Sequence, residues 1–327
     1  MEVRLVTAAG AEHRTIEEIP ALLSAEDGFV WIDVSELDAE GERLLVEVFG
    51  FHPMALAACR ERNHLPSTHA YPDYVFTVLH APERGSAGHV HLLELDQFVG
   101  RRYLVTVHGP LNPEVPLEHA LTETQAVLAR IQRGHLHAST PMELSYAIVT
   151  SLARRQRDLV TEVAKQVAAL EREVMADDFR NPERLLDAMF LVRHELLTVR
   201  TMAAQSHDVY ARLARLGHHV PAADKPLLED LSDQFDRLRS LSDGEKEFLF
   251  GVIDLYQTRV ATKMTVAVER LAVLAAITLP ITALASIYGM NVIVNSRTHV
   301  VQLVVVLAVM AVVSGTLLRW SRRQGWW

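Results

Sequence analysis

The chain has a single cysteine, Cys59, in 327 residues. That excludes a disulfide framework and any metal site built from several thiolates, and it suits a reducing compartment. The local signatures of nucleotide and nucleophile chemistry are missing as well. There is no P-loop, no G-x-G-x-x-G, no G-x-S-x-G and no H-E-x-x-H. An enzymatic reading therefore has no nucleophile–base set to start from. Fixed-period repeats and low-complexity tracts are also lacking.

The most informative absence is charge of one sign. Glu269 is the last acid, and from Leu271 to Trp327 the only Lys or Arg residues are Arg297, Arg319, Arg322 and Arg323. Four of the 32 basic residues thus lie past residue 270, leaving 28 against 41 acids, or −13, on the body of a chain whose net charge is −9. So acidic a body disfavours nonspecific nucleic-acid binding and tolerates cations, and no nucleic-acid partner is expected. Met1-Glu2-Val3-Arg4 offers neither a basic n-region nor an apolar h-region, so the body should stay on the side where it is made.

What the tail has instead is two long apolar runs. Leu271–Met290 is 20 residues without a charge and Val300–Leu318 is 19. At about 1.5 Å per residue each can cross a hydrocarbon core of about 30 Å. Pro280 is tolerable inside the first run if neighbouring groups, such as the hydroxyls of Thr278 or Thr282, serve the backbone it frees. Arg259, Lys263 and Arg270 precede the first run, while Arg319, Arg322 and Arg323 follow the second; the loop 291–299 between them carries only Arg297. Both termini are therefore expected in the cytoplasm of a multi-pass protein of the plasma or inner membrane, with the lipid bilayer as a partner. Trp320, Trp326 and Trp327 suit an interfacial belt.

Upstream of the first run, Leu249, Ile253, Tyr256, Val260, Met264, Ala267 and Leu271 recur at steps of three and four. Neither Pro nor Gly interrupts Val252–Leu279, so one helix should run from the cytoplasm into the membrane as a self-associating stalk. Two spans per chain cannot enclose a pore, so conduction would need several chains. The body reads as α/β followed by helices. Val3–Thr7, Phe29–Val34, Tyr74–Leu79, His89–Leu95 and Tyr103–Val107 look like strands, and Ala39–Phe49 like a helix capped by Asp38 or Ser35 and stopped by Gly50. Ser145–Val174, Pro182–Leu216 and Asp224–Leu241 read as helices. The expected organisation is an α/β domain over 1–116, a helical region over 117–240, and a stalk over 241–290 whose last part, 271–290, is the first span. An external loop over 291–299, a second span over 300–318 and a basic, aromatic tail over 319–327 complete it.

Sixteen histidines invite a metal reading, and His89/His91 or His135/His137 could each share a strand face. Spacing places no third ligand, so surface histidines are the simpler account. Asp230 and Asp233, three apart, read either as a solvated acidic face or as a hard-oxygen cation site in the cytoplasm.

The segment Pro280-Ile281-Thr282-Ala283-Leu284-Ala285-Ser286-Ile287-Tyr288-Gly289-Met290-Asn291 closes the first span. Its Tyr-Gly-Met-Asn end resembles the signature of the CorA-type magnesium and cobalt transporters. Trp31-Ile32-Asp33, Phe49 to Pro53, Tyr74 to His80 and Leu104 to His108 are similar to that family's cytoplasmic domain, and Ala169 to Glu171 with Arg193 to Arg200 to its helical part. The resemblance implies a funnel-shaped homopentamer with an α/β N-terminal cytoplasmic domain, long helices and two C-terminal transmembrane helices. It implies Mg²⁺, also Co²⁺, as the transported ion, and a mouth formed by Gly289, Met290 and a ring of Asn291. Neutral amides can hold a hydrated Mg²⁺ through its waters. Thr282 would give a second polar ring. Leu279, Leu271 and Val268 would be apolar pore-lining constrictions. The family also senses cytoplasmic Mg²⁺ between protomers. Asp230 falls at the helical half of that site, and His91, Glu94 and Asp96 lie near the other half. The loop after the motif lacks the acid common in the family, which weakens cation attraction at the mouth. Zn²⁺ transport by the same fold, or a non-conducting membrane-anchored metal sensor, stand as alternatives; Met290 favours Mg²⁺ or Co²⁺ over Zn²⁺.

Overall fold

The computed structural model describes residues 1–25, 27–85, 89–110, 112–176, 182–216, 220–289 and 300–323. The chain divides into two compact units, Met1–Val252 and Ile253–Trp327.

The first unit is built on a seven-stranded sheet. Its strands are β1 (Glu2–Thr7), β2 (Gly10–Arg14), β3 (Phe29–Val34), β4 (Ser67–Ala70), β5 (Tyr74–Arg84), β6 (Val90–Gly100) and β7 (Tyr103–His108). They lie in the order β2-β1-β3-β7-β6-β5-β4. Only β3 and β7 run parallel, Val30 opposite Tyr103 through Val34 opposite Val107; the other five pairings are antiparallel. Side chains alternate across a strand. Val30, Ile32 and Val34 of β3, Val105 and Val107 of β7 and Phe98 of β6 therefore turn to one face, where helices α1 (Ile19–Ser24), α2 (Ala39–Phe49) and α3 (Pro53–Arg60) cover them. Phe51, between α2 and α3, stacks on Phe98 at a centroid distance of 4.1 Å. The opposite face meets α5 (Thr122–Gln132) and α6 (Pro141–Met175), which follow the short α4 (Leu117–Ala120). There the Ser145 hydroxyl of α6 donates to Gln97 Oε1 of β6 at 2.5 Å.

The five expected strands and the helix Ala39–Phe49 are all present. Of the two candidate caps for that helix, Asp38 serves: its Oδ1 accepts from the Gly41 amide at 2.7 Å. Gly50 ends α2 in the left-handed region at φ 63°, where glycine carries no Cβ penalty. Strands β2 and β4 and helices α1 and α3 are additions to the sequence reading. All four are short, and β2, GAEHR, has no apolar alternation to announce it. Strand β5 runs five residues past Leu79 to Arg84, because Ala81 and Pro82 still pair with Leu93 and Leu92 of β6.

Helix α7 (Pro182–Leu213) packs along α6, and Tyr210 of α7 stacks on Phe235 at 5.8 Å. Phe235 belongs to α8, which runs without interruption from Lys225 to Gly289. The expected break near residue 241 does not exist: the segment read as Asp224–Leu241 and the stalk are one helix of 65 residues. Physically nothing there stops it, since Gly244 and Gly251 lower helix propensity without removing a backbone donor.

The second unit holds the rest of α8 and α9 (Val300–Arg323). Both helices are long and apolar enough to cross a membrane. The stripe read as one stalk face is buried at Leu249 (0% exposed) and Tyr256 (7%), but at Met264 it is 68% exposed. Pro280 lies within α8. The hydroxyls of Thr278 and Thr282 donate to the carbonyls of Leu274 and Thr278, both at 2.8 Å. They therefore do not serve the Ala276 carbonyl, the one that Pro280 cannot reach with an N–H.

Candidate functional site

At about 100° of rotation per residue, Val268, Leu271, Leu279 and Thr282 fall within an arc of about 80° on α8. Val268, Leu271 and Leu279 are 58%, 65% and 67% exposed, and Thr282 is exposed too. The sheltered positions of the same segment, among them Val273, Ile277, Pro280 and Leu284, lie on the other side of the helix. Exposure alone does not set this arc apart, since Leu274 and Ile287 outside it are 58% and 63% exposed; helical spacing is what groups its residues. That arc carries two hydroxyls, Thr282 and Ser286, among apolar and small side chains. Gly289 is the last helical residue of α8. Met290 and Asn291, and the loop 291–299, lie outside the described residues.

The three acids and the histidine expected at the cytoplasmic metal site do not converge within one protomer. Among the described residues no group of three or more His, Cys, Asp and Glu side chains is disposed to hold a metal. Glu94 and Asp96 share the β6 face that looks toward α3, whereas His91, an odd-numbered neighbour, points to the opposite face. His91 Nδ1 pairs with Asn112 Nδ2 at 2.8 Å. Glu94 is engaged internally, where its two oxygens accept from the Asn63 amide at 2.8 Å and from Asn63 Nδ2 at 2.7 Å. Asp96 is fully buried. Burial pushes its carboxyl well above the usual range, and the neighbouring Glu94 adds to this. The Cys59 thiol beside it is likewise raised, first by burial and then by Asp96. This is an interior cluster whose acids are pushed toward the neutral form by burial.

Asp230 differs. It is half-buried on α8, facing α6. The Tyr146 hydroxyl donates to its Oδ2 at 2.7 Å, and Gln234 Nε2 to the same oxygen at 2.6 Å. The Tyr146 hydrogen bond chiefly holds this carboxyl below its ordinary range, so Asp230 is ionised at neutral pH. Asp233 lines a separate groove with His207 and Lys225. One helical turn thus sends the two acids to different places, and the paired-acid reading does not describe them.

The best-connected polar network of the sheet was not singled out as a site from sequence. Asp33 Oδ1 accepts from the Thr106 hydroxyl at 2.6 Å and from His108 Nε2 at 3.0 Å, and Trp31 Nε1 donates to the Thr106 hydroxyl at 3.2 Å. Burial opposes ionisation of Asp33, yet His108 and the threonines hold its carboxyl below the usual range. It ties the one parallel strand pair together on its α5/α6 face. Asp33 and Thr106 are register partners, and that pairing, absent from any local motif, is what brings them together.

The comparisons with known proteins agree with this architecture. The family model described as CorA-like Mg2+ transporter protein matches residues 26–323. The chain is 25% identical over 331 residues to YfjQ of Bacillus subtilis (strain 168), whose name marks it a candidate metal ion transporter, with 98% of each chain covered. It is 22% identical over 306 residues to the cobalt/magnesium transport protein CorA of Thermotoga maritima, covering 90% of this chain and 83% of that one. The complete structure of the CorA magnesium transporter from Methanocaldococcus jannaschii superposes with a TM-score of 0.82 at 18% identity, over 100% of this chain and 99% of that chain. The expected fold, an α/β domain followed by long helices and two C-terminal apolar helices, is the fold of that transporter. With its model matched over nearly the whole length, the chain belongs to the CorA-like Mg²⁺ transporter family, a family of membrane divalent-metal transporters and not of enzymes.

Proposed function

We propose that this protein carries Mg²⁺, and also Co²⁺, across the cell membrane through a path formed by several copies of the chain, in the manner of a homopentameric channel. The observation that carries the reading is the family match over residues 26–323, which includes a helix segment where Val268, Leu271, Leu279 and Thr282 share one arc. In this reading the arc lines the path. Val268, Leu271 and Leu279 close it by dewetting, and Thr282 offers a polar step between them and the outer mouth. Gly289, Met290 and Asn291 form the outer mouth, where Asn291 amides meet an ion that keeps its waters. The cost of stripping Mg²⁺ is large, so recognition through the hydration shell lets the ion enter without a compensating all-protein cage. Both termini lie in the cytoplasm, because the cations cluster at the two outer flanks of the spans.

Asp230 is the proposed cytoplasmic ligand for a regulatory cation, completed by an acid from a neighbouring copy. Its ionised state suits that role. His91, Glu94 and Asp96 of the same chain are engaged or buried, which argues for a different second ligand. Ion flux into liposomes that contain the purified chain tests the proposal, read with a Mg²⁺ dye and with Co²⁺ and Zn²⁺ as competitors. Saturable Mg²⁺ entry blocked by Co²⁺ supports it. Zn²⁺ entry with no Mg²⁺ entry replaces the ion, and no flux of any of the three leaves a non-conducting protein and sinks the proposal.

A further inference from the structure

Beside Asp230, α6 and α8 enclose a groove of about 610 Å³. That volume is within the usual range for small-molecule sites. Its walls are two stripes with the same spacing: residues 146 to 157 of α6 and 230 to 241 of α8 each contribute side chains at steps of 4, 3, 1 and 3. One end is the hydrogen-bonded set of Tyr146, Asp230 and Gln234. The other presents three guanidinium groups, Arg154 and Arg157 from α6 and Arg237 from α8, around the buried Leu238.

Those arginines are unusual in their company. Among the described residues none of the three has a carboxylate within 4.0 Å, whereas their sequence neighbours do. Arg155 is tied to Glu83 and Glu123, and Arg239 to Asp236. The body carries 41 acids against 28 bases once the tail's four arginines are set aside, so carboxylates are not scarce. Arg237 faces the charge of Asp230 across the same cavity, which leaves Arg154 and Arg157 as the like charges that an added anion relieves. Guanidinium forks match phosphate oxygens bidentately. Asp230 itself is not neutralised by them through contact: both of its hydrogen bonds fall on Oδ2, leaving Oδ1 able to accept from a ligand hydroxyl.

We infer that this groove binds a phosphate-bearing organic anion of the nucleoside di- or triphosphate class. Arg154, Arg157 and Arg237 hold the phosphates, Asp230 Oδ1 takes a sugar hydroxyl, and Leu238 gives an apolar patch beneath the ligand. The inference uses the arginines and does not rest on metal binding by Asp230.

The experiment is isothermal titration of the purified full-length chain in detergent, with EDTA present so that no divalent cation contributes. ATP, ADP, pyrophosphate and, as a control, sodium chloride are the titrants. Saturable ATP binding that weakens at least tenfold in the triple variant Arg154→Gln, Arg157→Gln, Arg237→Gln, and that falls with rising salt, supports the site. Asp230→Asn should weaken ATP while leaving pyrophosphate unchanged; equal affinity for both titrants in the unaltered chain would overturn the nucleoside assignment. Circular dichroism checks that the variants keep their helices, and the three single variants serve if the triple does not fold. No saturable heat beyond the chloride control, or an affinity unmoved by the triple variant, overturns the inference. So does dissociation of the oligomer on Arg→Glu reversal in a chain that binds no anion, since the groove would then be filled by the acidic surface of a second copy.

Discussion

Asp96 sits fully buried between strands with its carboxyl pushed up by burial and by Glu94. A carboxyl whose folded pKa lies above its unfolded one stabilises the fold fully only below the unfolded value, about 3.9. That contribution is lost as pH rises toward the folded value. Asp96→Asn removes the titration. The melting temperature of the variant relative to the parent should therefore climb as pH is raised from 4 to 8, in thermal scans of the full chain. A constant difference would show that Asp96 titrates normally. Asp33 has the opposite sign. His108 and Thr106 hold its carboxyl down, so its stabilisation is present above the unfolded pKa and fades as pH falls through the folded one. Asp33→Ala would take away the acceptor of His108 Nε2 and leave the buried Thr106 hydroxyl only the Ile32 carbonyl at 3.3 Å, at a cost of about 1–3 kcal/mol in denaturant melts. Neither role could be read locally. Asp33 is one of six consecutive strand residues until register sets it opposite Thr106, and Asp96 looks like a surface acid until the β5–β6 pairing buries it.

Elements were more legible than contacts. Helix α2 has its cap, its stop and its apolar stripe written locally, and it begins and ends where those signals stand. Asp38→Ala should cost about 1 kcal/mol through the lost bond to the Gly41 amide, measured by urea denaturation. Strand β2 carries no apolar alternation and exists because β1 offers it a partner through a two-residue turn at Thr7–Gly10. Helix α8 shows a different limit. Its cytoplasmic and apolar segments have different compositions, which suggests a boundary, yet composition changes do not break hydrogen bonds and the helix continues. The arc on that helix carries a prediction at this scale. Cysteines placed at Val268, Leu271, Leu279 and Thr282 should react with a small water-soluble thiol reagent when the protein is in liposomes, and the buried Cys59 should stay silent. Equal labelling of Val273, on the sheltered side, would show that the arc lines no path.

At the scale of the whole molecule, an acidic body of net −13 and an acid-free tail belong to one chain that meets water and lipid in succession. The family resemblance was legible because it rests on a short motif at the end of the first apolar run, and the match over residues 26–323 extends it through the body. The placement of the acids proposed for regulation was not legible. It depends on which strand face each residue takes and on which copy supplies the second ligand, and neither is a property of local sequence. If bound cation offsets repulsion between acidic subunits, Mg²⁺ should slow proteolysis of the full chain, and Asp230→Ala should abolish that protection. Protection unchanged in the variant would free Asp230 from any sensing role. A shared path with Asn291 at its mouth is tested most directly by Mg²⁺ flux in liposomes that hold equal amounts of the assembled parent or of assembled Asn291→Ala. Saturable entry is predicted for the parent and none above empty vesicles for the variant; equal entry through both would contradict it.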